Sequence, residues 1–229
     1  MGVYGVYAMK TNKQIIEALR DNADLAWAAY GYYDLIGKKI KDDEKYGDKR
    51  NKPITLHDIL DITYKNYETQ DSTFFNTENL KGDFTPTQAK RFFERYDLLI
   101  HQPNTESGFS ATFFYNKESK EYTLAIRGTE FNLDQIKDLI NDYHIGTNND
   151  DLDKVIEQYF DMLIFYEETL KPLLQEKGIT KINITGHSLG GYLAQRALIY
   201  CDSLYKDKLK FSPSEVYTFN TSLESMSVA

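Results

Sequence analysis

The residues with the clearest chemical meaning are Gly186-His187-Ser188-Leu189-Gly190, followed by a second glycine, Gly191. A serine hydroxyl becomes a useful nucleophile only when its proton is taken and the negative charge it creates is stabilised. A serine with glycines two residues before and two after fits a sharp strand-to-helix turn, because larger side chains there collide with the turn. Such a turn holds Oγ at the end of the strand and aims the first helical N–H groups at a developing anion. The flanks supply both elements. Ile182, Ile184 and Thr185 read as a short buried strand, and residues 192–204 as a helix. Ser188 is therefore the candidate nucleophile, with Gly186 and Gly190 as the elbow glycines.

A second signal lies upstream, where a β-type run ends in Arg127-Gly128-Thr129. Gly128 lets another backbone approach closely, and Thr129 offers both an N–H and a hydroxyl. Arg127 reads as a structural hydrogen-bonding or ion-pairing residue rather than a substrate binder. The single cysteine, Cys201, rules out an intramolecular disulfide and reads as a buried, inert thiol.

These motifs need a frame to position them. The chain has 229 residues, 41% of them hydrophobic, enough for one sizeable core. A formal charge of −8 argues against general nucleic-acid binding, which needs clustered Lys and Arg. The N-terminus lacks the pattern of a signal peptide, and no apolar run is long enough for a membrane span, so the sequence leaves localisation open. Residues 11–40 read as mostly helix, capped by Asn12, with Ile15, Ile16, Leu19, Ala23, Ala26, Trp27 and Tyr30 at helical steps. Thr85 and Pro86 open a second helix that buries Phe92 and Phe93. Residues 97–101 read as a strand, and 110–115 with 122–126 as a hairpin. Residues 152–176 read as a helix with Val155, Ile156, Tyr159, Phe160, Leu163 and Ile164 on its buried side and Pro172 as a possible kink. The acidic stretch 148–153 matches no loop with a defined calcium pattern, so helix capping explains it better and no metal or cofactor is expected. Residues 215–219 close the pattern as a strand.

With Ile126-Arg127-Gly128-Thr129 followed by Ile184-Thr185-Gly186-His187-Ser188-Leu189-Gly190-Gly191, and Gly108-Phe109-Ser110-Ala111-Thr112 leading into the hairpin, the chain resembles the class 3 lipase family. These are α/β-hydrolases that include triacylglycerol lipases and bacterial phospholipase A1-like enzymes. The resemblance runs over residues 98–220. It implies an α/β fold, an α/β-hydrolase-like, mostly parallel sheet with flanking helices, preceded by a helical N-terminal region (1–96) and a β-hairpin, with the partial hydrolase core in 97–229. It further implies Ser188 as nucleophile, Leu189 and Thr129 as the oxyanion hole, residues 131–143 as a lid or an ordinary packed helix, and a lipid or small ester as substrate, with possible interfacial contact with lipid.

The departure lies in the rest of the triad. In these hydrolases an acid and then a histidine follow the serine in chain order. No histidine follows Ser188. His187 belongs to the elbow itself, and His57, His101 and His144 lie upstream. Asp202, Asp207, Glu215 and Glu224 remain downstream, none at a convincing strand end. The pattern thus reads as the first portion of such a hydrolase without its acid and base. The alternative is a catalytically inactive lipase-like fragment that acts as a binding or interaction module.

Overall fold

The alternation of β-type runs and amphipathic helices becomes a five-stranded sheet with helices on both faces in the computed structural model, which describes residues 10–71, 79–128, 150–203 and 212–221. The strands are β1 (Tyr96–Gln102), β2 (Ala111–Asn116), β3 (Tyr122–Ile126), β4 (Lys181–His187) and β5 (Ser212–Phe219), side by side in that order. The sheet is mixed, with the expected hairpin preceding its parallel part. β1, β2 and β3 run antiparallel, and only the β3–β4 and β4–β5 pairs are parallel. The reason is connection length. β2 and β3 are joined by a tight turn with Lys120 at φ 63, which permits only antiparallel pairing, whereas parallel neighbours need long crossovers.

Strand periodicity sends alternate residues to opposite faces, so Phe113 and Phe114 are both fully buried but in different cores. On one face Phe114 and Ala125 pack with Leu25 of α1 (Asn12–Ala28), Ile59 of α2 (Leu56–Leu60), Phe92 of α3 (Pro86–Arg95) and Tyr33 of the short turn Tyr33–Leu35. On the other, Phe113, Leu124, Ile126 and Ile184 pack with Met162 and Phe165 of α4 (Asp150–Phe165), Leu174 of α5 (Lys171–Glu176) and Leu193 of α6 (Leu189–Ser203). A five-residue π turn, Tyr166–Leu170, separates α4 from α5. Pro172 accounts for it: a proline lacks the N–H and crowds the preceding turn, and the wider turn absorbs both defects.

Two helix faces differ from the sequence expectation. Thr11, not Asn12, caps α1, in a reciprocal capping box with Gln14. Ile15, Ile16, Leu19 and Trp27 are 44–65% exposed, while Asn22, Leu25, Ala26 and Ala28 are buried. The cause is close approach: the Thr185 hydroxyl on β4 donates to the Asn22 carbonyl at 3.1 Å, so the helix turns its smaller side chains to the sheet. In α4, Gln158, Met162 and Phe165 are buried and Ile156, Phe160 and Ile164 are exposed. Gln158 sets that face by donating to the Ser107 carbonyl at 2.9 Å.

Arg95 ties α3 to α1 by donating to both carboxylate oxygens of Asp21. Burial pushes the Asp21 carboxyl up, but the bonds from Arg95 and Arg20 outweigh it and hold it below its ordinary 3.8. The stabilisation is therefore present above pH 3.8 and is lost as the pH falls through the depressed value. Asp21→Asn should lower stability by about 2 kcal/mol at pH 7. Urea unfolding of the two proteins should show that gap narrowing below pH 3.8.

Candidate active site

Ser188 is the single residue between β4 and α6, and its backbone sits in the left-handed region at φ 55. A side chain rarely adopts that conformation, at a cost of roughly 1–2 kcal/mol. Backbone bonds hold it there. The Ser188 N–H donates to the Phe219 carbonyl of β5 at 2.9 Å, and its carbonyl accepts from the N–H groups of Gly191 and Tyr192 at 3.0 and 3.3 Å. The elbow closes only because its neighbours are glycines. A Cβ on Gly186 would lie 2.2 Å from the Gly190 carbonyl oxygen, and one on Gly190 would lie 2.3 Å from the Ile126 carbonyl oxygen of β3. Leu189 opens α6 directly after the serine, as an oxyanion donor must.

The two sequence motifs meet here. A Cβ on Gly128 would stand 2.4 Å from the His187 carbonyl oxygen, 2.5 Å from the Tyr30 hydroxyl and 3.3 Å from Ser188 Cβ. The chain leaving β3 therefore runs past Ser188, where parallel β3–β4 pairing puts it. Arg127 is buried, donates to the Asn104 side chain, and lies 5.2 Å from the Tyr32 ring centroid, which makes it a strut for this strand end. Thr129, the expected second oxyanion residue, lies outside the described residues, as do the lid segment 131–143 and His144.

No described histidine outside the elbow is placed to serve Ser188. His101 is on β1, three strands from β4, or about 14 Å at ordinary strand spacing. Its ring bonds Thr112 Oγ1 through Nδ1 at 2.9 Å, and Nε2 stands 3.7 Å from Asp34. His57 packs edge-on against Phe93 in the N-terminal core. Glu215 pairs with Asn183 near the start of β5, at the opposite end of the sheet, and is engaged by Lys10 and Tyr217. The side chains of Asp202 and Cys201 are outside the described residues, and so are Asp207 and Glu224. A polar cavity of about 60 Å³, lined by Asn22, Tyr96, Thr123, Asn183 and Glu215, lies at that same opposite end. It is remote from the chemistry. Among the described residues no cluster of His, Cys, Asp and Glu has metal-holding geometry, and no helix is long and apolar enough to cross a membrane.

His187 has company that the sequence reading did not assign to the site. Tyr30 Oη lies 2.9 Å from its Nδ1, and the Trp27 ring stands 5.9 Å away in an edge contact. Burial pushes the His187 imidazole below its ordinary pKa, so it is neutral at pH 7. The only sequence signal was Trp27 and Tyr30 at a three-residue step near the end of α1, which read as ordinary packing.

Known proteins share part of this sequence and its fold. Residues 123–222 match the family model described as lipase (class 3). Among solved structures, the lipase from Rhizopus microsporus var. chinensis is 16% identical with a TM-score of 0.52, over 93% of this chain and 60% of that one. Lipase II from Rhizopus niveus gives 16% and 0.52, over 92% and 63%. The chain thus spans about three fifths of the length of these lipases. A search of curated proteins finds no match. At this identity the likeness to these lipases shows a shared α/β-hydrolase fold, and the part of the chain that resembles the class 3 lipase family model is residues 123–222, somewhat under half of it.

Proposed function

We propose that the chain carries the nucleophile and oxyanion side of a serine ester hydrolase that acts on carboxylic esters of lipids, triacylglycerols or phospholipids. Ser188 Oγ would attack the ester carbonyl, forming the acyl–oxygen bond of an acyl-enzyme as the alcohol leaves, and water would then release the acid. Leu189 N–H and Thr129 would hold the oxyanion. The observation that carries this reading is Ser188 held at φ 55, with β3 passing it at Gly128.

The second reading, a lipase-like binding or interaction module, is favoured by one observation. Among the described residues, His57 and His101 are engaged elsewhere and no histidine outside the elbow reaches Ser188. Both readings predict weak turnover by this polypeptide alone, and they differ in what the residue depends on. A hydrolase site stripped of its triad partners retains about 10³–10⁴-fold acceleration over water through its oxyanion hole and binding. Hydrolysis of a p-nitrophenyl acyl ester should therefore be slow but should fall to the background rate in Ser188→Ala. Equal rates for the two proteins would favour the module.

A further inference from the structure

We infer that Tyr30 is a positioning residue for Ser188: its hydroxyl donates to His187 Nδ1, holds the imidazole as the Nε2–H tautomer, and thereby fixes the His187–Ser188 peptide against Gly128. The inference rests on the hydrolase reading for its effect on reactivity, but not for the contact itself. Three groups converge on the Cα of Gly128: the His187 carbonyl oxygen, the Tyr30 hydroxyl and Ser188 Cβ, at 2.4, 2.5 and 3.3 Å from where a Cβ would be. The hydroxyl therefore stands at the junction of the elbow and the end of β3, within reach of both.

The charge state narrows the bond to two directions, and we take the phenol as donor. Burial keeps the imidazole neutral, and a neutral imidazole has one N–H and one acceptor nitrogen. A phenol that donates to Nδ1 leaves the proton on Nε2. Trp27 and Tyr30 contact the His187 ring at centroid distances of 5.9 and 6.0 Å, with interplanar angles of 65° and 61°. They leave it little rotational freedom. Because the residue so held is the one before the nucleophile, its orientation sets the peptide that Ser188 follows. That turn is already under left-handed strain, so a released His187 lets the serine drift from its attack position.

The test uses the full chain, Tyr30→Phe, and a fluorophosphonate probe. Histidine ¹⁵N NMR at neutral pH reads the tautomer, with the His187 signals assigned by their loss in His187→Gln. The wild type should show Nδ1 as acceptor and Nε2 protonated, and Tyr30→Phe should show a tautomer mixture. The variant should unfold within about 3 °C of wild type yet label at Ser188 about tenfold more slowly. A wild-type Nδ1–H tautomer, or unchanged labelling in a folded variant, overturns the inference. If Ser188 is never labelled even in wild type, the hydrolase reading fails, and the tautomer still decides whether Tyr30 holds His187. If Tyr30→Phe does not fold, the wild-type spectrum alone makes that decision.

Discussion

Gly190→Ala is expected to damage the fold and the site together, lowering stability by about 3 kcal/mol. The added methyl would meet the Ile126 carbonyl oxygen at 2.3 Å and the Arg127 carbonyl carbon at 2.8 Å, and both are backbone. Neither can rotate away. Relief requires β3 to shift relative to α6, and β3 is registered to β4 through Leu124 with Ile184 and Ile126 with Gly186. The same movement would carry Gly128 away from Ser188, so probe labelling should be lost along with stability. Gly178→Ala is the control. Gly178 has φ 65 but nothing within 4 Å of a Cβ, so the cost there is conformational alone, about 1 kcal/mol. Urea unfolding of both variants tests the contrast, and equal losses would mean that the elbow is not packed against β3 as described.

Substitution of Ser188 itself should separate strain from chemistry. Ser188→Ala and Ser188→Gly both remove the hydroxyl and should abolish labelling. Only glycine relieves the left-handed backbone at φ 55. The glycine variant should therefore be more stable than the alanine variant by about 1 kcal/mol, measurable as the difference between two unfolding midpoints. An alanine variant as stable as the glycine one would show that the turn is unstrained, and with it would go the argument that the structure spends stability to present Oγ.

Much of the site was legible in the sequence because its requirements are local. A strand, a glycine-spaced serine and a helix are consecutive, and the physics of the turn constrains only residues two apart. The meeting of Gly128 with Ser188 was implied by the order of the two motifs, since parallel pairing brings one strand end beside the other. What sequence reasoning missed depends on tertiary approach. The outer side of α1 looked buried because Ile15, Ile16 and Leu19 are apolar, but the helix comes so close to β4 that Asn22 and Leu25 join Ala26 on the inner side. The hairpin, by contrast, was read correctly and contributes two of the five strands of the mixed sheet. Tyr30 gave no sign of a role, because its partner lies 157 residues away. Periodicity shows which residues share a face, not what that face meets.

The central proposal is that Ser188 is a hydrolase nucleophile that no base serves among the described residues. Fluorophosphonate labelling followed by peptide mapping tests it most directly. Attack would join Oγ to phosphorus as fluoride leaves, so the modified residue carries the added mass. The account predicts slow labelling confined to Ser188, on a scale of hours at high probe concentration. No labelling, or labelling of another serine, would contradict the nucleophile assignment. Stoichiometric labelling of Ser188 within minutes would contradict the missing base.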